Sequence, residues 1–144
     1  MEEKTDFIIY QNEIYMEYKP LGEVFDYRKL PYNDAFGLKN FILEKIKESK
    51  PKWIVGEESS ATTLMDMKIP GRIMVNPKVS FEDLNNIPDH VRESTFGFFD
   101  KYHEKNYERF QSVYTNSAWY PETSIDLLDM KSMIETIIDS DGKW

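Results

Sequence analysis

The sequence contains no cysteine. Disulfides, thiol nucleophiles and cysteine-ligated zinc are therefore excluded. Histidine is nearly as scarce: the chain has two, His90 and His103, so any imidazole chemistry must draw on one of them. No apolar run approaches the roughly 18 residues of a membrane-spanning helix. Positive charge is also short, with 18 lysines and arginines against 26 aspartates and glutamates and a net charge of −8. Such a field repels phosphates, and no basic cluster interrupts it, so neither nucleic acid nor an anionic membrane surface is an expected partner. Residues Met1 to Asp6 are charged and lack the shape of a signal peptide, which makes the cytoplasm the expected location.

What is present suits a folded globular protein. The chain has 144 residues, of which 40% are hydrophobic, 15% aromatic and 31% charged. That length is expected to form one domain, residues 1–144, with a core large enough to need no cross-links. No repeat, low-complexity stretch or linker divides it.

Apolar runs and amphipathic segments alternate along the chain. Phe7 to Tyr10 reads as a strand and Ile14 to Tyr18 as a second, so that Asp6 to Tyr18 is expected as an antiparallel edge. Val24 to Tyr27 is a third candidate. Asn33 or Asp34, in the loop from Pro31, is placed to cap a helix over Ala35 to Ser49. In that helix Leu38, Phe41, Ile42 and Ile46 share one face, and Lys39, Glu44, Lys47 and Glu48 turn to water. Trp53 to Val55 and Ile73 to Val75 are short apolar runs of the kind buried on both faces of a parallel sheet. A helix is expected over Ser59 to Met67, and a loop with helical turns over Phe81 to Glu93. Thr95 to Phe99 reads as a strand, His103 to Tyr114 as a helix with Tyr107, Phe110 and Tyr114 aligned toward the core, and Ser117 to Tyr120 as a last strand. The terminal helix is expected over Ile125 to Ile138, with Ile125, Leu128, Met133 and Ile137 on its inner face. This rhythm predicts an α/β fold, a three-layer sandwich with a mostly parallel sheet.

One junction carries a chemical suggestion. In Trp53-Ile54-Val55-Gly56-Glu57-Glu58-Ser59-Ser60-Ala61 an apolar strand runs into a tight turn that opens a helix. This resembles the G-x-S-x-G nucleophile elbow of α/β-hydrolases. Downstream, Ile73-Met74-Val75-Asn76-Pro77 is similar to a strand and Asn-Pro pair of small bacterial esterases in that superfamily. Phe96-Gly97-Phe98-Phe99-Asp100 looks like the strand before their acidic residue. The resemblance spans roughly residues 22 to 138 and implies a truncated α/β-hydrolase-like fold. It implies a nucleophile position at Glu58, or at Ser59 if the register shifts by one, an acid in the Asp100 to His103 region, and a base between Tyr120 and Ser124.

That last segment reads Tyr-Pro-Glu-Thr-Ser and holds no histidine. A serine hydroxyl attacks poorly without a general base, which contributes typically 10²–10⁴-fold. No Gly-rich oxyanion loop follows the first strand either. The resemblance therefore implies a pseudoenzyme that binds a protein partner or small ligand at the vestigial active-site edge, with Trp119, Tyr120 and Asn76 as binding residues. The alternative is a small serine- or carboxylate-dependent esterase using the Gly56 to Ser60 elbow. Asp100, His103 and Glu104, or Asp89, His90 and Glu93, read better as solvated side chains than as metal ligands, so neither a metal nor a cofactor is expected.

Overall fold

A computed structural model describes residues 6–10, 22–26, 35–65, 67, 71–80, 93–140 and 142. The strands are β1 (Asp6–Tyr10), β2 (Gly22–Asp26), β3 (Ile54–Glu57), β4 (Arg72–Val75), β5 (Thr95–Asp100) and β6 (Ser117–Tyr120). The helices are α1 (Ala35–Ser49), α2 (Ser59–Leu64), α3 (Glu104–Gln111) and α4 (Lys131–Asp139). All six strands pair in parallel in the order β2-β1-β3-β4-β5-β6. The fold is thus of the α/β type.

Strand alternation sends successive side chains of the central strands to opposite faces. Ile54, Met74 and Phe99 enter one core cluster, joined there by Leu38 and Ile42 of α1, Ala61 and Leu64 of α2, and Phe110 of α3. Val55, Ile73, Val75, Phe96 and Phe98 enter the other, with Ile134 and Ile137 of α4. Short apolar strands are needed because both faces are covered. A third kind of contact ties helix to sheet. Arg72 of β4 is fully buried, and its guanidinium donates to the carbonyls of Leu64 and Met65 at the end of α2. A cation there satisfies carbonyls that the helix leaves open and meets the negative end of its dipole.

Three expectations need correction. The first strand is not an antiparallel edge: β1 lies inside the sheet, parallel to β2 on one side and β3 on the other. Periodicity fixes which residues face inward but is silent on which strands become neighbours. The terminal helix begins at Lys131, and residues 127–130 form turns before it. Its buried residues are Ile134 and Ile137, with Met133 and, ahead of the helix, Ile125 packed against the same cluster and Leu127 and Met130 inside it, while Leu128 is exposed. The helix that opens at Ser59 stops at Leu64 rather than Met67. By contrast, the inner face of α1 and the Tyr107-Phe110-Tyr114 stripe fall where the spacing puts them. The expected strand over Ile14 to Tyr18, the Pro31 to Asp34 loop with its caps, and Phe81 to Arg92 lie outside the described residues.

Candidate functional site

The strand order reverses once: the chain first builds outward from β1 to β2, then returns to the other side of β1 with β3. In open α/β sheets, ligands gather at the carboxyl ends of the strands beside such a reversal. At the carboxyl end of β3 the chain turns through Glu58 directly into α2.

That turn is tight and strained. Glu58 has φ 50° and ψ −116°, a conformation that favours glycine, and a non-glycine residue there costs on the order of 1–3 kcal/mol. Its N–H donates to the Val75 carbonyl at 2.9 Å, and its carbonyl accepts from the Thr62 N–H and hydroxyl at 2.8 and 2.9 Å. Its carboxylate is exposed and makes no capping bond to the helix. Ser59 beside it is exposed as well. Ser60 is buried, and its Oγ accepts from the Glu57 N–H at 2.9 Å while donating to the Glu57 carbonyl at 2.8 Å. Gly56 has no room for a side chain: a Cβ would lie 2.9 Å from the Ala61 nitrogen. Glycine is thus what lets α2 pack so closely on β3.

The end of β5 is built differently. Asp100 is buried, and both of its carboxylate oxygens are engaged. Oδ1 accepts from the Tyr102 N–H at 3.0 Å. Oδ2 accepts from the Ile125 N–H at 3.0 Å and the Asn76 side-chain amide at 3.1 Å. Asn76 reciprocates, its Oδ1 accepting from the Asp100 N–H at 3.0 Å and its Nδ2 donating to the Ile125 carbonyl at 3.3 Å. Its φ of 52° suits asparagine, which tolerates the left-handed region. Two further bonds complete the clamp: Lys101 N–H to the Thr123 carbonyl at 3.1 Å, and Leu127 N–H to Glu57 Oε2 at 3.3 Å. The segment Pro121 to Leu127 is therefore a strap drawn from the end of β6 back toward β3.

The other expected residues separate. His103 lies ahead of α3, half-buried, with Nδ1 and the Asn106 amide 3.0 Å apart. Trp119 stacks on Tyr107, ring centroids 5.7 Å apart, and its indole N–H donates to the Asp100 carbonyl at 3.2 Å. Its polar handle is thus directed inward. Tyr120 packs on the opposite face of the sheet and lines an open cleft of about 380 Å³ with Ser124, Met130 and Met133 among its neighbours. Partial burial raises the pKa of its phenol, because desolvation disfavours the phenolate. Among the described residues no group of three acidic or histidine side chains is placed to hold a metal ion, and no helix is long and apolar enough to cross a membrane. His90 and Asp89 lie outside those residues.

Sequence reasoning missed Glu57, which is buried and reaches across 70 positions to the Leu127 N–H. Alternation from Val55 would have placed it on an inner face, but nothing local announces its partner. No protein family, curated protein or solved structure matches this chain.

Proposed function

We propose that this chain is a non-catalytic α/β-hydrolase-like protein, a short three-layer sandwich that binds a protein partner or small ligand along the edge running from Glu58 to Tyr120. A single observation carries the reading: the buried Asp100, at the acid position, gives both carboxylate oxygens to N–H donors of Tyr102, Ile125 and Asn76. In a triad that carboxylate orients an imidazole. Here backbone and amide take its place, and the strap that would bring the base carries no histidine. The strained turn at Glu58 supports the hydrolase-like part of the reading, since the elbow is a sharp, strained strand-to-helix junction. Trp119 serves packing in this picture, and Tyr120 is the member of the pair that faces the cleft.

The test is turnover of p-nitrophenyl esters by the purified protein, with no rate above background expected. A second reading is favoured by the exposure of Glu58 and Ser59 on that turn, the place where a nucleophile would stand: a small esterase using the elbow. Turnover abolished by Ser59→Ala or Glu58→Ala alone would establish that reading and overturn the first.

A further inference from the structure

The cleft beside Tyr120 has a definite chemical character. Its walls are the strap and the first turn of α4. Hydroxyls come from Tyr120, Thr123, Ser124 and Ser132, and an apolar floor from Ile125, Met130 and Met133. Asp129 supplies a carboxylate, and among the described residues no lysine or arginine lines the cleft. The nearest cation in sequence, Lys131, is engaged in an ion pair with Glu135. Asp129 Oδ2 accepts from the Asp126 N–H, which fixes the carboxylate at the rim. Its volume of about 380 Å³ lies within the range of small-molecule sites, roughly 300–1,000 Å³.

We propose that this cleft binds a small organic cation, an ammonium group carried on an alkyl or aryl body. The body would lie on the methionines, whose thioethers adapt to irregular shapes. The ammonium would meet Asp129, with the Tyr120 ring as a second attraction. The Tyr120 phenol, on the cleft wall, is neutral below its ordinary pKa and can accept a hydrogen bond from the ammonium. A net charge of −8 disfavours an anion throughout. The inference names a ligand class for one end of the proposed binding edge and rests on that reading. Ester turnover tests the reading, whereas binding tests the cleft, so the two can fail separately.

The experiment is an NMR titration of the whole chain with benzylammonium, benzyl alcohol and benzoate, which share a shape and differ in charge. Benzylammonium should saturate, shifting the amide signals of Thr123 to Ile125, Ser132 and Met133. The neutral alcohol should bind about fivefold more weakly, the effect of one ion pair at contact in a water-like dielectric, and benzoate should not bind. Asp129→Asn, which keeps an acceptor for the Asp126 N–H, should bring the amine down to the affinity of the alcohol. Ser132→Lys, placing a cation at the mouth, should abolish amine binding while the rest of the spectrum stays unchanged. Benzoate binding as tightly as the amine, shifts mapping elsewhere, or Asp129→Asn leaving amine affinity intact would each overturn the proposal.

Discussion

The turn after β3 and the carboxyl end of β5 each carry an acidic residue, Glu58 and Asp100, and the two are held in opposite ways. Glu58 leaves β3 on a strained backbone with its carboxylate exposed and uncommitted to the helix behind it. Asp100 ends β5 on regular strand geometry with its carboxylate buried and saturated by donors. At Glu58 the backbone makes the shape and the side chain is optional. At β5 the side chain makes the structure, because removing it strands several donors in the interior. The same residue class therefore marks a candidate functional position at one strand end and a structural clamp at the next.

Asp100→Ala should show the largest effect. It leaves the Ile125 N–H and the Asn76 amide without their charged acceptor, and a loss of about 3 kcal/mol is expected, read as a lowered midpoint in urea unfolding. Amide exchange should accelerate first in residues 121–127, where the strap is released. If Asp100→Ala costs no more than Glu58→Ala, the contrast between the two strand ends is broken.

Gly56→Ala comes next. The added methyl meets the α2 backbone at 2.9 Å rather than a movable side chain, so a loss of about 2 kcal/mol is expected from overpacking. An unchanged unfolding midpoint would mean that α2 sits less tightly on β3 than the close approach at Gly56 requires.

Glu58→Gly sharpens the comparison from the other side. It relieves a positive φ, and although glycine adds entropy to the unfolded chain, a gain of about 1 kcal/mol is expected. Glu58→Gln keeps the backbone strain and removes only the charge near the start of α2. It should cost less than about 1 kcal/mol. A clear gain from the glutamine variant would instead show that the charge itself is strained there, as at a working site.

The smallest effect belongs to Tyr120. Its pKa is raised in the folded state from the ordinary 10.0. Below pH 10 both states keep the proton and nothing is lost. As pH rises above that value, the unfolded chain releases its proton more readily, so stability falls. Tyr120→Phe should remove that alkaline component of the pH–stability curve. An identical curve for the variant would place the phenol outside the partly buried setting that distinguishes it from the strap residues around it.

Much of the framework was legible in the chain. Helix α1 and strand β6 begin and end where pattern and punctuation put them, because amphipathic spacing and apolar runs are local properties. The tight turn from β3 into α2 was legible too, since a glycine between an apolar strand and a helix-opening serine is a local signature, and so was the lack of histidine after Tyr120. Asp100 was visible as a position but not in its role, because its partners, Asn76 and the Ile125 N–H, lie 24 and 25 residues away. Trp119 and Tyr120 were both plausible binding residues until β6 sent them to opposite faces, one onto Tyr107 and the other to the cleft.

By itself, then, the sequence determined an α/β rhythm, an acidic chain without thiol chemistry, a glycine-dependent turn after β3 and a segment after Tyr120 without histidine. Each follows from composition or from contacts a few residues long. Only the tertiary structure decided that β1 lies parallel inside the sheet, that Glu57 and Asp100 clamp the strap, and that the cleft opens beside Tyr120. The physical reason is common to all three: these arrangements join backbone groups and side chains distant in the chain, and a backbone N–H offers the same donor whatever residue carries it.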